Sequence, residues 1–155
     1  MFRTVILLSF LFVLGCDSSR IYETYHDFEA GQWAYRDTVT FDLTIPDSTQ
    51  RYNVILNIRN TLDFNTARLF VQYQLADSTQ VLRKRLVEEN LFDRKTGKPF
   101  GDSGLGNIYT HHFVLEPGIT FSHPGPYHIK LNHLMRYDTL TEIRSVGIRV
   151  EKSMN

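Results

Sequence analysis

The feature that most constrains the fold of this chain is an alternation of apolar and polar residues with a period of two. It is clearest at 39–45, where Val39, Phe41 and Leu43 alternate with threonine and aspartate. Side chains two residues apart lie on the same face of a strand, so each such segment predicts a strand with one buried face. Turn residues, such as the Pro-Asp-Ser at 46–48, separate the segments. The predicted strands lie at 39–45, 52–59, 69–75, 79–86, 107–115, 126–132 and 142–152.

Short strands with hardly any helical pattern between them predict an all-β protein with a single β-sandwich (jelly-roll-like) domain. The length of 155 residues suits one domain, and a hydrophobic content of 42% with only 9 glycines and 5 prolines excludes a largely disordered chain. The alternation also predicts which side chains face inward. The expected core residues are Val39, Phe41, Leu43, Leu56, Ile58, Val71, Val146 and Ile148.

A separate apolar segment opens the chain and ends at its single cysteine, Cys16. It is shorter than the roughly 20 residues of a membrane-spanning helix and has the proportions of a signal peptide. The junction at 13–16 resembles a bacterial lipobox, in which the cysteine is lipidated; the alternative is a buried helix of a cytosolic protein. The expected organisation is a lipoprotein signal peptide at 1–15, a lipidated Cys16 with a tether at 16–30, and the β-sandwich at 31–155.

Charge and cysteine content exclude several classes of protein. Lys and Arg together number 17, as do Asp and Glu, so there is no basic excess of the kind that nucleic-acid binding requires. The basic run at 83–85 is followed by Glu88 and Glu89, which is typical of a solvated edge strand. One cysteine permits neither an internal disulfide nor a cysteine-based zinc site within the chain.

No catalytic motif is found, and we expect no catalytic residues, no metal and no cofactor. A histidine metal site is the alternative for the histidines after residue 110, but His111 and His112 should point to opposite faces of a strand. We therefore expect surface and loop histidines without a common ligand. Asp93 and Asp102 remain as an alternative calcium site, without the spacing of an EF-hand. The histidines in question are His111, His112, His123, His128 and His133.

The segment 97–109 is predicted to be a long, glycine-rich loop that carries Phe100, Leu105 and Tyr109. Glycines allow a backbone to approach another surface, and apolar side chains among them can anchor a partner. We therefore expect a partner-binding surface there. The alternative is that Leu105 and Tyr109 fold back and plug one end of the sandwich. A further alternative is an aromatic platform for sugars, formed by Trp33, Tyr35, Phe100, Tyr109 and Phe121.

The chain from about residue 33 to 152 resembles the GldH family of gliding-motility lipoproteins. The resemblance also includes the lipobox at Cys16. The segments that carry it are 52–61, 104–109, 125–127, 135–140 and 146–151.

This resemblance implies a non-enzymatic, membrane-anchored lipoprotein of the cell envelope, on the periplasmic side or in the outer membrane. It implies protein partners in the gliding machinery, which is linked to type IX secretion. Cys16 is the one residue whose role the resemblance supplies, as the lipid attachment point. The alternative function is a lipid-anchored polysaccharide-binding module, whose sign would be coplanar exposed aromatic side chains on one sheet face.

Overall fold

The computed structural model describes residues 18–154, so the expected signal peptide and Cys16 lie outside the described residues. Within 18–154 there is no α-helix, only two single 3₁₀ turns, at Glu29–Gly31 and Leu105–Asn107. The prediction of an all-β sandwich is confirmed. The strands are β1 (Arg20–Asp27), β2 (Trp33–Ala34), β3 (Val39–Ile45), β4 (Tyr52–Thr61), β5 (Arg68–Ala76), β6 (Val81–Asn90), β7 (Asp102–Ser103), β8 (Ile108–Ile119), β9 (Gly125–His133), β10 (Thr139–Leu140) and β11 (Ile143–Lys152).

The long strands form two antiparallel sheets around one core. One sheet has the order β1-β11-β4-β8-β7 and the other the order β3-β9-β5-β6, while β2 and β10 pair with each other. Long strands pair from the outside of the sequence inward: β1 with β11, β3 with β9, β4 with β8, and β5 with β6. A long hairpin ribbon that is rolled up in this way forms a jelly roll, with its two Greek keys.

Strand pairing divides the loops between two ends of the sandwich. Tyr52 at the start of β4 lies opposite Lys152 at the end of β11, and the backbone N–H of Lys152 donates to the carbonyl of Ser19 at 2.8 Å. We call this the terminal end, because both termini of the described chain lie there. The loops at the terminal end are 46–51, 77–80 and 120–124. The loops at the opposite end, the distal end, are 28–38, 62–67, 91–107 and 134–142.

The core lies between the two sheets, and all eight expected core residues are buried in it. Trp33, Tyr52, Tyr73 and Tyr127 are fully buried as well and fill the space between the sheets. A buried tryptophan N–H or tyrosine hydroxyl needs a hydrogen-bond partner. The Trp33 indole N–H donates to the carbonyl of Asp37, and the Tyr52 hydroxyl donates to the carbonyl of Asp47. Trp33 and Tyr52 therefore tie a loop at each end to the core.

The segment expected to be a tether differs from that expectation. Arg20–Asp27 form β1, which pairs antiparallel with β11 from Arg20 opposite Glu151 to Asp27 opposite Ser145. Burial along β1 follows no clean alternation, because it is an edge strand and its side chains are only partly covered. The folded domain thus begins about ten residues before the expected boundary at residue 31.

Candidate functional site

The segment 91–107 is held in place by its own hydrogen bonds. The Asp93 carboxylate accepts from the backbone N–H groups of Lys95 and Thr96, both at 2.8 Å, and these bonds hold the pKa of Asp93 below its ordinary value. The N–H of Phe100 then donates to the carbonyl of Leu91 at 3.0 Å. The expected long loop is therefore a folded arm at the distal end, which we call the arm (residues 91–107).

The tip of the arm presents apolar side chains to solvent. Leu105 is 94% exposed on the second 3₁₀ turn, and Phe100 is 60% exposed, whereas Tyr109 is half-buried at the start of β8. Gly106 follows Leu105 with φ of 68°, a left-handed conformation that favours glycine. Leu105 therefore does not plug the sandwich, and that alternative is wrong for this residue. The role of Phe100, Leu105 and Tyr109 in binding a partner stays a prediction.

The arm covers a small cleft above β8, with a volume of about 380 Å³, lined in part by Phe100, Asp102 and His111. A Cβ at Gly101 would lie 2.7 Å from the carbonyl oxygen of Thr110 and 2.9 Å from the His111 ring. Only glycine lets the arm rest on β8 at this point. The arm and the strand therefore form one surface.

Two of the histidines are buried, which corrects the expectation of surface and loop histidines. His111 is 2% exposed, its ring is stacked on Phe113 with centroids 5.9 Å apart, and burial lowers its pKa to about 4. His133 is fully buried beside Trp33, and burial lowers its pKa as well. Both rings are therefore neutral at physiological pH. Each histidine occupies an inward-facing position of its strand, in the series 111, 113, 115 and the series 129, 131, 133. The alternation in the sequence therefore contained this signal, but the prediction did not use it.

Among residues 18–154, no group of three or more His, Cys, Asp or Glu side chains is placed to hold a metal ion. His111 and His112 do point to opposite faces, since His112 is exposed and its Nδ1 lies 2.7 Å from Oδ1 of Asn57. Asp93 is engaged by its own turn, and Asp102 lies beside His111 in the small cleft. The expected absence of a metal therefore stays a prediction.

The aromatic residues considered as a sugar platform do not share a surface. Trp33 and Phe121 are buried, whereas Tyr35 is 49% exposed and Phe100 is exposed on the arm. Phe121 belongs to the terminal end, where its ring packs against Tyr52 and Tyr127. This set of five therefore provides no common face for stacking a sugar.

A larger cleft, of about 730 Å³, lies at the distal end between the 62–67 loop, β5, the start of the arm and the 134–142 loop. Three of its lining side chains are arginines, Arg68, Arg94 and Arg136, and its apolar side chains include Phe70 and Met135. We call it the arginine cleft. No spacing in the sequence connects these residues, because they come from three separate segments of the chain.

The fold and these surfaces define a jelly-roll domain with open clefts at the end away from its termini. The sequence model of the GldH lipoprotein family matches residues 20–150, and the chain belongs to that family. The resemblance seen in the sequence is thereby confirmed. Membership of a lipoprotein family implies membrane anchoring in the cell envelope, and no helix within 18–154 has the length and hydrophobicity needed to span a bilayer.

Two curated relatives match over nearly their whole length. The chain is 28% identical to a gliding motility lipoprotein GldH homolog from Christiangramia forsetii over 98% of this chain and 93% of the relative. It is 23% identical to the gliding motility lipoprotein GldH of Flavobacterium johnsoniae over 96% of this chain and 94% of the relative.

Solved structures show only a distant likeness. Dimeric latent PorU from Porphyromonas gingivalis superposes on 88% of this chain and 13% of its own, with a TM-score of 0.35 and 6% identity. An infectious bursal disease virus structure also gives a TM-score of 0.35, with 13% identity, over 85% of this chain and 29% of its own. At this level the likeness carries no argument about function.

Proposed function

We propose that this chain is a non-enzymatic lipoprotein of the bacterial gliding machinery, linked to type IX secretion and held in the envelope by a lipid on Cys16. Family membership and the gliding-motility names of both curated relatives support the proposal. The position of Cys16 at the end of the apolar run supports the attachment point. Several acyl chains, each stabilised by about 0.8 kcal/mol per buried CH₂, make a lasting anchor.

The length of chain between the lipid and the fold sets the orientation of the domain in this proposal. Four Cα steps lead from Cys16 to Arg20 and reach at most about 14 Å. The terminal end therefore lies next to the membrane. The length of β1, roughly 26 Å at about 3.3 Å per residue, separates the distal end from it. Partner-binding groups at the distal end would be accessible to other envelope proteins.

The exposure of Leu105 carries the proposal of a partner surface on the arm. An isolated leucine that is 94% exposed contributes nothing to the core, and Phe100 lies on the same arm. Such side chains gain stabilisation when a partner buries them, by about 1.5–3 kcal/mol for a leucine or phenylalanine. Phe100, Leu105 and Tyr109 are the proposed contact residues.

The buried histidines support the non-enzymatic part of the proposal. A general base needs a pKa near the working pH and a path to its substrate. His111 is buried under the arm, and burial lowers its pKa to about 4, so it is a weak base at neutral pH. Its environment is that of a packing residue.

Leu105→Asp tests the partner surface in the living cell, with Leu86→Asp as the matched control. Leu86 is another exposed leucine, 55% exposed on β6 and outside the arm. We expect Leu105→Asp to keep the melting temperature, because the side chain is already in water, while co-purification of envelope proteins and motility are lost. The control should keep all three. Normal motility and normal co-purification in a stable Leu105→Asp protein would show that the arm is not the partner-binding surface.

A further inference from the structure

We propose that the arginine cleft binds an acidic segment of a protein partner that also carries an apolar side chain. The cleft is separate from the proposed contact residues of the arm, since Phe100, Leu105 and Tyr109 do not line it. Its lining combines Arg68, Arg94 and Arg136 with Phe70, Leu134, Met135 and Tyr137.

Backbone contacts fix one wall of the cleft. The backbone N–H of Leu134 donates to the carbonyl of Phe70 at 2.8 Å, and the N–H of Phe70 lies 3.3 Å from the sulfur of Met135. These contacts hold the 134–142 loop along β5, so that Tyr137, itself 47% exposed, stands at the rim. A partly exposed apolar surface is thus kept open beside the arginines.

Two of the three arginines in the cleft form no ion pair with a described residue. Arg68 is paired with Glu88, and its guanidinium carbon lies 5.8 Å from the centre of the Phe70 ring. No carboxylate among residues 18–154 forms an ion pair with Arg94 or Arg136. The neighbouring Asp93 carboxylate accepts from backbone N–H groups of its own turn, so it keeps its charge but forms no direct ion pair with Arg94. Two exposed guanidinium groups therefore remain available to an anion.

The lining favours a peptide over other anionic partners. Guanidinium groups bind carboxylates in a two-pronged geometry, and methionine and aromatic side chains adapt to apolar anchors. A neutral sugar would carry no negative charge to complement the three guanidinium groups, which are the main polar groups of the lining. A nucleic acid needs a basic stripe, whereas this chain has a formal net charge of zero.

A second cleft at the distal end carries the opposite charge, which would orient a bound partner. It has a volume of about 460 Å³ and is lined by the carboxylates of Asp27, Glu29 and Asp37. An acidic segment would be repelled there and attracted to the arginine cleft. Such segregated charge selects the position and register of a partner more than it adds affinity.

The experiment is a calorimetric titration of the full-length protein in detergent with a synthetic peptide of glutamates interrupted by phenylalanine. The matched peptide has glutamine in place of glutamate. The test variant is Arg94→Gln with Arg136→Gln, and the control variant, Arg83→Gln with Lys84→Gln, removes the same charge from two exposed positions on β6. All four side chains are exposed, so both variants should fold, and a thermal melt checks this.

We expect the glutamate peptide to bind in a salt-sensitive way, the test variant to bind it at least roughly tenfold more weakly, and the control variant to stay within about twofold. Leu105→Asp should not change this titration, so that failure here is distinguishable from failure of the proposed arm surface. Equal binding of the glutamine peptide, or equal loss in the control variant, would overturn the proposal. So would an oligogalacturonate that binds more tightly than the peptide and is lost in the test variant, because the ligand would then be an acidic polysaccharide.

Discussion

The ring of Tyr25 on β1 lies directly over Gly147 on β11. A Cβ at position 147 would approach Cδ1 of that ring to 2.7 Å and the carbonyl oxygen of Thr24 to 2.9 Å. Arg59 of β4 covers the outer side of the ring, with its guanidinium carbon 3.9 Å from the ring centre. This stack connects three adjacent strands, and it joins the first strand of the domain to the last.

Gly147→Ala is therefore expected to destabilise the domain by about 1–3 kcal/mol, because the added methyl group has no space. Urea unfolding of the purified protein measures the change. Gly104→Ala is the control, since a Cβ there would meet only the carbonyl oxygen of Ile108, at 3.3 Å, on an exposed arm. Equal stability of Gly147→Ala and the unmodified protein would show that β1 can move away without cost.

Leu56→Ala tests the core. Leu56 is fully buried between the sheets, and its truncation should lower the free energy of unfolding by about 2–5 kcal/mol through lost burial and the cavity left behind. Leu105→Ala is the matched control and should change the same quantity by less than about 0.5 kcal/mol, because Leu105 is exposed. Similar losses in the two variants would contradict the assigned core.

Stability should fall as the pH drops from about 6.5 to about 4. Burial lowers the pKa of His111 to about 4 in the folded protein, while the unfolded chain takes up a proton near the ordinary value of 6.5. Within this window the unfolded state binds more protons, so acidification favours unfolding; below it the effect levels off. His133, whose pKa is also lowered, adds a second contribution of the same sign.

His111→Phe keeps a ring for packing on Phe113 and removes the titrating group. Denaturation midpoints measured between pH 7 and pH 4 should therefore decline less steeply in this variant than in the unmodified protein. His128→Gln is the control, because His128 is only half-buried on the outer face of β9, where its Nδ1 lies 2.6 Å from Oδ1 of Asp42. An unchanged slope in His111→Phe would show that His111 is not the buried neutral group described above.

Cys16→Ser tests the anchor. The serine cannot form the thioether that carries the lipid, so we expect unprocessed or soluble protein and no incorporation of a labelled fatty acid. Metabolic labelling followed by membrane fractionation measures both. Equal labelling of the variant and the unmodified protein would show that Cys16 is not the attachment point of the lipid.

Local patterns in the sequence were sufficient for the strands that carry a clean alternation. The predicted strand at 39–45 matches β3, because each of its side chains is either fully covered or exposed. The same alternation includes His111 and His133, which occupy inward-facing positions of their strands. They were predicted to be exposed because histidine is a polar residue. The strand β1 could not be found in this way, since an edge strand with half-covered side chains has no period to detect.

The sequence by itself determined the all-β class, the buried face of the central strands and the family, because alternation and family motifs are local properties of the chain. Only the tertiary structure decided that β1 pairs with β11, that the arm rests on β8 through Gly101, and that Arg68, Arg94 and Arg136 line one cleft. Each of these depends on contacts between segments far apart in the chain. Such contacts form only when the sandwich closes and brings these segments together, so no local spacing of residues in the sequence predicts them.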